Sequence, residues 1–339
     1  MGPSPSPTHH HIVLLQTQYY PVPDFNLPAP YTWTRTVHEE VSPAELHAAI
    51  HDATILVLAT TRLDAVALSP EVTPHLRFIN CVASGTDSID LDACRKRGIV
   101  VSNCSGANIE AVSEHAVGLY FAARRKVLEM HRLTRAGEWP RRGTLMFQML
   151  DREGGAPLTC REEVVGIIGY GGIGKRIAHL ARSLGMKVLI SGRKGADSNT
   201  RQTEEQRTSF EEVIKKSTVL FLALPRTPST INLISTPELQ SMSRHAVLVN
   251  VSRGGIVDEA ALITALNEGW IAGAATDVFA KEPAGPENSP LLGEETKDLN
   301  LTVSPHMAWL ADKTWTNLRV MAKENVEGWC AGRPCRVVT

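Results

Sequence analysis

The sequence predicts an α/β protein made of two doubly wound parallel-sheet domains, and three observations support this prediction. Strand-like and helical stretches alternate along most of the 339 residues, which is typical of parallel strands joined by helical crossovers. One strand-to-helix turn carries glycines at GxGxxG spacing. The chain is long enough for two hydrophobic cores. We therefore expect a Rossmann-type domain over residues 113–309 and a smaller, flavodoxin-like domain over residues 1–112 and 310–339.

The smaller domain is predicted from apolar, β-branched stretches that alternate with short helical ones. Strands are expected at residues 12–16, 54–59, 76–82 and 99–101, and the proline-rich residues 21–30 are expected to form a loop. Helices are expected at residues 43–50, with Ser42 as cap, and at residues 90–97, with Gly98 as stop.

Ser84 and Gly85 directly follow the predicted strand 76–82. In an open parallel sheet, ligands gather at the carboxyl ends of the strands. The backbone N–H groups of Ser84 and Gly85 are therefore candidates for binding a substrate carboxylate. An ordinary turn is the alternative at this position.

The larger domain is expected to begin with one long helix over residues 111–128, which ends in a basic run suited to the negative end of a helix. Residues 135–160 are irregular and predict a functional loop or an interface arm, with a plain mobile loop as the alternative. The remaining pattern is a regular alternation of the two kinds of element. Strands are expected at 164–168, 186–190, 219–224, 246–251, 272–275 and 299–303, and helices after Gly172 and at 210–216, 236–242 and 259–269.

The glycine-rich turn predicts a dinucleotide site. Gly169 permits a tight turn, Gly171 lets a pyrophosphate approach the backbone, and Gly174 lets the helix pack closely on the strand. The N-terminus of that helix presents free N–H groups and a positive dipole end to the phosphates. The strand before the turn and the second strand after it are the context that supports the motif.

The residues that follow the second strand indicate which dinucleotide binds. An NAD site has an acidic residue about twenty positions beyond the glycines, which accepts hydrogen bonds from the ribose 2′-OH. Here Gly192 occupies that position, between Ser191 and the two cations Arg193 and Lys194. Both cations suit a 2′-phosphate, so we expect NADP(H) to be preferred, with NAD(H) possible. A solvated basic turn is the alternative.

Further cofactor contacts are expected where the other strands of the larger domain end, along the rim on which the nicotinamide would lie. The cofactor-binding residues expected from these patterns are Gly169, Gly171, Gly172, Ile173, Gly174, Ser191, Arg193, Lys194, Leu224, Pro225 and Val251.

Three polar residues at strand ends are candidates for catalysis: Arg253, Glu282 and His306. Hydride transfer to a 2-keto acid needs a cation for the carboxylate and carbonyl, and an acid that protonates the developing alkoxide. Arg253 offers a planar fork for the first task, and His306 paired with Glu282 suits the second. Singly, Arg253 and Glu282 are also typical of structural ion pairs, and His306 of a structural histidine. Together on a nicotinamide-binding domain they favour catalysis.

Composition excludes several other classes of function. The charges nearly balance, with 35 Lys and Arg against 36 Asp and Glu, and no basic run indicates a nucleic-acid partner. No apolar stretch reaches the length of a membrane span. The six cysteines show no CxxC motif and no regular spacing, which is typical of thiols in a reducing compartment, so we expect a cytoplasmic protein. We expect no metal site.

Residues 82–332 resemble the D-isomer-specific 2-hydroxyacid dehydrogenase family, and in particular its glyoxylate/hydroxypyruvate reductase branch. The resemblance rests on the segments SGTDSIDLDACRKRGIVVSN, AVSEHAVGLYFAARR, GIIGYGGIGKR, VNVSRGGIVDEAAL, TDVFAKEP and SPHMA, in the order and spacing of the family. It implies a substrate domain and a cofactor domain with the active site in the cleft between them. It also implies a homodimer formed through the cofactor domain.

The same resemblance implies a role for each candidate residue. Arg253 would bind the carboxylate and keto oxygen of the substrate, His306 would be the acid/base, and Glu282 would be its partner. Asp277 would hold the nicotinamide carboxamide, and His306 and Ala308 would also contact the cofactor. The N–H groups of Ser84 and Gly85 would bind the substrate carboxylate.

The chain departs from the family pattern in two places. Gly192 and Arg193 replace the acidic residue of NAD sites, and residues 139–160 form a longer connection than usual. Because this region reaches the neighbouring subunit in related enzymes, Trp139 or Arg142 is a candidate for contact with the partner's cleft.

The sequence as a whole predicts an NADPH-preferring reductase that converts small 2-keto acids to D-2-hydroxy acids. One alternative is a regulator of the same fold that senses a dinucleotide without catalysis. The other is a formate or phosphite dehydrogenase. A Glu partner for the histidine argues against a formate dehydrogenase, in whose pattern the histidine is paired with Gln.

Overall fold

A computed structural model describes residues 8–195 and 207–339, and its contacts divide the chain into two compact units. The first contains Met1–Asn108 and Leu310–Thr339, and the second contains Ile109–Trp309. The first boundary therefore lies at residue 109 rather than at the predicted residue 113, because the helix that begins at Ile109 belongs entirely to the second unit.

The first unit is built on a five-stranded sheet in its described part, in which every pairing is parallel. The strands, in chain order, are β1 (His9–Leu15), β2 (Thr32–His38), β3 (Ile55–Leu58), β4 (Phe78–Cys81) and β5 (Val100–Asn103). The helices are α1 (Leu46–Ile50), α2 (Leu91–Arg97) and, in the C-terminal segment, α11 (Asp312–Cys330). The spatial order β2-β1-β3-β4-β5 is the flavodoxin-like order.

Apolar residues cover both faces of this sheet. Leu56, Leu58 and Ile79 pack with Ile50 of α1 and Cys94 of α2 in one core. On the other face, the ring of Phe78 stacks on Trp329 of α11 with centroids 5.0 Å apart. Helices on both faces make this a doubly wound sheet, as predicted.

Two predictions for this unit were wrong in detail. The edge strand β2 was not predicted, because its sequence TWTRTVH is polar and mostly exposed and reads as a connection. The structure pairs it with β1, and the imidazole of His11 bonds the hydroxyl of Thr36 at 2.8 Å. The first helix begins at Leu46, not at residue 43, because Ser42 bonds the Glu45 carboxylate in a preceding turn.

The second unit is built on a six-stranded sheet in its described part, again with every pairing parallel. Its strands are β6 (Val164–Ile168), β7 (Lys187–Ile190), β8 (Val219–Leu222), β9 (Val247–Asn250), β10 (Gly273–Thr276) and β11 (Leu301–Val303). Its helices are α3 (Ile109–Arg124), α4 (Val127–Arg135), α5 (Glu138–Arg142), α6 (Met146–Met149), α7 (Gly172–Ser183), α8 (Phe210–Lys216), α9 (Thr236–Ser241) and α10 (Glu259–Glu268).

The order β11-β10-β9-β8-β6-β7 places β6 where the winding of the chain changes direction. From β6 the chain goes to β7 on one side and later to β8 and its successors on the other. Such a switch point leaves a crevice at the carboxyl ends of the strands, where ligands bind in open α/β sheets. The glycine-rich turn after β6 lies at this point.

Alternate residues of the central strands face two helical layers. Val219 and Phe221 of β8 lie in the core that α3 and α7 cover, whereas Leu220 and Leu222 lie in the core that α8, α9 and α10 cover. The two doubly wound sheets confirm the predicted fold class.

The connection before β6 differs from the prediction. The long helix predicted over residues 111–128 is two helices, α3 and α4, because Lys126 adopts a left-handed conformation (φ 46°) and donates from Nζ to the Gln148 carbonyl at 2.5 Å. Arg124 does not lie in solvent beside the negative end of a helix, as the basic run predicted. It is buried and forms a two-point ion pair with Glu163, at 2.6 and 3.1 Å. The irregular stretch 135–160 contains the short helices α5 and α6.

A helix that combines the length and the apolar character needed to cross a membrane does not occur in the described ranges.

Candidate active site

The turn between β6 and α7 has a backbone geometry that only glycine permits at two of its positions. Gly169 has a positive φ of 93°, and a Cβ there would lie 2.3 Å from the Ala223 carbonyl oxygen. A Cβ on Gly174 would lie 2.1 Å from the Gly169 carbonyl oxygen, so α7 packs on the turn at a distance only glycine permits. Two of the three motif glycines are thus required by the protein itself.

Gly171 is different, because a Cβ there would meet no protein atom within 4 Å. It is exposed and is the N-cap of α7, and no side chain caps the helix. The first N–H groups of this 12-residue helix therefore have no capping side chain as a partner. An anion such as a pyrophosphate fits this end of the helix.

The carboxyl end of β7 carries the residues predicted to select the cofactor. Ser191 is buried and forms a parallel bridge with Thr208, while Arg193 is exposed. Lys194 is already paired: its Nζ lies 2.7 Å from Glu238 Oε1. A further cation, Arg207, donates to the Ser191 carbonyl at 3.1 Å and lies over the Tyr170 ring at 5.1 Å.

The other predicted cofactor residues line the strand ends on both sides of β6. Leu224 lies against the glycine turn, since its Cβ would be 2.8 Å from a Cβ on Gly169. Val251 and Ala308 are buried, Ile173 is half-buried, and Gly172 and Pro225 are exposed.

Arg253 lies on a turn that is fixed from within. The Oδ1 atom of buried Asn250 accepts hydrogen bonds from the Ser252 N–H (3.1 Å) and hydroxyl (2.7 Å), and its Nδ2 donates to the Arg253 carbonyl (3.1 Å). The next residue, Gly254, lies so close to Phe279 that a Cβ would be 1.6 Å from the Phe279 carbonyl oxygen. This close approach brings the turn of Arg253 against the segment that carries Glu282.

Glu282 and His306 are in direct contact. His306 Nδ1 lies 2.7 Å from Glu282 Oε2, and the other carboxylate oxygen accepts the Phe279 N–H at 2.9 Å. The side chain of His306 is 41% exposed and that of Glu282 is 32% exposed, so the pair is open to a ligand.

The charges around Glu282 keep it ionised. Burial raises the pKa of Glu282, but the hydrogen bonds from His306 and the Phe279 N–H and the positive charges of His306 and Arg253 outweigh burial. The net pKa of Glu282 is below its ordinary value. An ionised carboxylate on Nδ1 stabilises the protonated imidazole and leaves Nε2 to act as the acid.

The three candidates converge because their strands are neighbours. Arg253 follows β9, Glu282 follows β10 and His306 follows β11, and these strands lie side by side in the sheet. Parallel neighbours are about 4.8 Å apart, so their carboxyl ends form one edge.

Asp277 is buried beneath this edge, 1% exposed, and its carboxylate holds the loop of His306. Its two oxygens accept the N–H groups of Met307 (3.0 Å) and Ala308 (2.9 Å). The binding of a nicotinamide carboxamide by Asp277 stays a prediction.

Ser84 and Gly85 belong to the first unit, whereas the other candidates belong to the second. Their loop is fixed locally. Asn103 donates from Nδ2 to the Ser84 carbonyl at 2.8 Å, and the Ser84 hydroxyl donates to Asn108 at 3.0 Å. Their contact with a substrate carboxylate stays a prediction.

Sequence reasoning missed three residues beside these sites: Arg207, His115 and Ser304. Ser304 and His115 stand in segments that carry the family resemblance, SPHMA and AVSEHA, so the motifs contained them without indicating a role. No local pattern identifies Arg207. Within residues 8–195 and 207–339, no group of three side chains is arranged to hold a metal ion.

Comparison with known proteins identifies the family. Residues 117–308 match the family described as D-isomer specific 2-hydroxyacid dehydrogenase, NAD binding domain. A glycerate dehydrogenase of Methylorubrum extorquens is 36% identical over 326 residues, which are 94% of this chain and 94% of that protein. A glyoxylate reductase of Aeropyrum pernix is 36% identical over 82% of this chain and 80% of its own length.

A solved structure extends the likeness to the whole fold. The NADPH-dependent glyoxylate/hydroxypyruvate reductase of Sinorhizobium meliloti, in complex with NADP and malonate, superposes with a TM-score of 0.76 at 27% identity over 97% of each chain. The chain is therefore an oxidoreductase with a nicotinamide dinucleotide-binding domain, and it belongs to the D-isomer-specific 2-hydroxyacid dehydrogenase family.

Proposed function

We propose that this protein is an NADPH-preferring reductase that converts small 2-keto acids to D-2-hydroxy acids. The observation that carries the proposal is the 2.7 Å contact between His306 and an ionised Glu282, on the sheet edge that also carries Arg253. Relatives named glycerate dehydrogenase and glyoxylate reductase support this substrate class.

The glycine turn, the N-terminus of α7 and the end of β7 would hold the cofactor. The chemistry supplied by a bound nicotinamide cofactor is hydride donation to the keto carbon. The protein's own residues have to bind the substrate, orient it and provide one proton.

Arg253 binds the carboxylate and the keto oxygen of the substrate and so draws electron density away from the keto carbon. His306 donates the Nε2 proton to the oxygen as it becomes an alkoxide, and Glu282 stabilises the imidazolium before that transfer. The N–H groups of Ser84 and Gly85 bind the carboxylate.

The preference for NADPH rests on the end of β7. An acidic residue would repel a 2′-phosphate, and Gly192 stands in its place beside the exposed cation Arg193. Arg207, bonded to the Ser191 carbonyl, adds positive charge to the same strand end. The reductase from S. meliloti was solved with NADP, in line with this preference.

A second copy of the chain is the proposed macromolecular partner. The connection between α4 and β6 exposes large apolar side chains, with Trp139 56% and Phe147 65% exposed. A homodimer through the cofactor domain would cover them. We propose the cytoplasm as the compartment, because all six cysteines are free thiols.

A panel assay tests the proposal. The purified protein is given glyoxylate, hydroxypyruvate and bulkier 2-keto acids with NADPH or NADH, and loss of the reduced cofactor and the chirality of the product are measured. We expect turnover of the small acids to the D product, with NADPH preferred.

Arg193→Asp should weaken the binding of NADPH by about ten- to a hundredfold, as expected for the loss of charge-assisted hydrogen bonds, and should affect the binding of NADH much less. Lys187→Asp, the same charge change at the opposite end of β7, is the control.

The outcomes separate the alternatives. Tight cofactor binding without turnover of any keto acid would favour the non-enzymatic sensor. NAD reduction with phosphite or formate would favour the other dehydrogenases. If the native protein binds NADH more tightly than NADPH, the interpretation of Arg193 is wrong.

A further inference from the structure

The proposed acid, His306, has an unfavourable backbone conformation. Its φ is 55°, in the left-handed region, and it is not a glycine. For an L-residue this conformation costs about 1–2 kcal/mol, so the surrounding structure has to impose it. The contacts that impose this backbone conformation also determine the direction in which the imidazole of His306 points.

Asp277 provides that restraint. Its backbone carbonyl accepts the His306 N–H at 2.7 Å, while its carboxylate accepts the next two N–H groups, of Met307 and Ala308. Three consecutive backbone donors are thus bound to one buried residue. Any movement of the Asp277 carboxylate would move the loop that carries His306.

The Asp277 carboxylate is itself held from α3. The Ser304 hydroxyl lies 2.6 Å from Asp277 Oδ1, and His115 Nε2 lies 2.9 Å from the Ser304 hydroxyl and 3.6 Å from Asp277 Oδ1. All of these residues belong to the second unit. A chain of contacts therefore joins α3 to the loop of His306.

The directions of these hydrogen bonds follow from their chemistry. Asp277 accepts N–H bonds and acts as a carboxylate, so Ser304 donates its single hydroxyl proton to it. The Ser304 oxygen is then an acceptor toward His115, and His115 has to carry a proton on Nε2. Donation from His115 polarises the Ser304 hydroxyl and strengthens its bond to Asp277.

We propose that His115 is a positioning residue for His306, acting through Ser304 and Asp277. His115 donates from Nε2 to Ser304, Ser304 donates to Asp277, and Asp277 holds the backbone of residues 306–308. Glu282 fixes Nδ1 of the imidazole from the other side, so both the loop and the ring are oriented. This inference rests on the proposed function, because it assigns His115 a role in the step that His306 performs.

The test compares three variants in the full-length enzyme with NADPH and the best keto acid of the panel. His115→Ala removes the donor, and His115→Gln restores an N–H donor at similar reach. His179→Ala removes an exposed histidine of α7 and is the control. Measured for each are kcat, KM, the dissociation constant of NADPH and the midpoint of urea unfolding.

We expect His115→Ala to lower kcat by about ten- to a hundredfold, the cost of a displacement near 1 Å at a reacting group, with KM within about twofold. NADPH affinity should fall much less than kcat, because His115 itself is not among the expected cofactor contacts. His115→Gln should recover most of the loss, and His179→Ala should match the native enzyme. A residue that only stabilised the fold would lower the unfolding midpoint and leave kcat of the folded enzyme unchanged.

A double-mutant cycle with Ser304→Ala tests the route. If His115 acts through Ser304, the double variant should be no slower than Ser304→Ala alone. Full additivity of the two losses would overturn the route, and native kcat in His115→Ala would overturn the role. If His115→Ala does not fold, His115→Gln is compared with Ser304→Ala instead. A kcat of His115→Gln no higher than that of Ser304→Ala would then overturn the proposed role of His115. An inactive native enzyme would instead contradict the proposed function.

Discussion

Replacing Glu282 with Gln tests the pairing on which the proposed proton transfer depends. The carboxylate accepts from His306 Nδ1 (2.7 Å) and from the Phe279 N–H (2.9 Å) through different oxygens, whereas the amide of the variant has one accepting oxygen. The variant keeps the size of the side chain but removes the negative charge and one of the two acceptors. Because the charged acceptor strengthens the hydrogen bond that orients the imidazole, the variant should have a lower kcat/KM for keto-acid reduction than the native enzyme.

The magnitude follows from the exposure of the pair. A hydrogen bond to a charged group contributes about 1.5–3 kcal/mol when buried, and exposed ion pairs contribute about 0–1 kcal/mol. With His306 41% and Glu282 32% exposed, a value near 1.5 kcal/mol, at the lower end of the buried range, is the reasonable expectation. That corresponds to about a tenfold loss of kcat/KM.

The assay compares kcat/KM for keto-acid reduction in the native enzyme and in Glu282→Gln, because this ratio measures the loss of transition-state stabilisation. The pKa of Glu282 is below its ordinary value, so the native side chain is ionised at the neutral pH of the assay. Glu287→Gln, an exposed glutamate five residues further on, controls for the change in net charge. A kcat/KM of Glu282→Gln equal to the native value would refute the pairing.

Four further variants test the catalytic candidates and the glycine turn. His306→Ala should lower kcat by about 100- to 10,000-fold, since general acid catalysis contributes that much, and a loss under about tenfold in steady-state kinetics would contradict the role. Arg253→Ala should raise KM and lower kcat together, because Arg253 acts on bound substrate and transition state alike. Gly171→Ala should weaken NADPH with an unchanged unfolding midpoint, because its Cβ meets no protein atom within 4 Å. Gly174→Ala should instead lower the free energy of unfolding by about 1–3 kcal/mol, because its Cβ would lie 2.1 Å from a backbone oxygen. Both variants are measured by urea unfolding. Equal stability would contradict the prediction that Gly171 is needed for cofactor binding and Gly174 for packing of the fold.

The glycine turn could be predicted because its determinants are local. The strand, the three glycines and the amphipathic start of α7 lie within one short segment, so residue type and spacing define the geometry. Edge strand β2 is the opposite case. Its pairing with β1 depends on a neighbour more than twenty residues away, and an exposed, polar strand carries no hydrophobic pattern of its own.

The break between α3 and α4 could not be read from the sequence for a similar reason. Helical propensity continues through Arg124 and Lys126, but Arg124 is buried against Glu163 and Lys126 bonds the Gln148 carbonyl. Both partners are distant in sequence. Tertiary contacts therefore decide where the helix ends, and local preference does not.

The catalytic candidates lie between these cases. Chemistry at strand ends was enough to select Arg253, Glu282 and His306, but separations of 29 and 24 residues contain no information on contact. The missing information is the strand order: β9, β10 and β11 are adjacent, so three turns that are distant in sequence share one edge. The layer beneath them could be predicted only in part. Asp277 was predicted as a cofactor residue, but its contacts with the half-buried Ser304 and His115 follow no pattern at any fixed spacing. A sequence thus indicates which groups perform a reaction more readily than which groups hold them in place, and the second set is where the structure contributes most to the account of this enzyme.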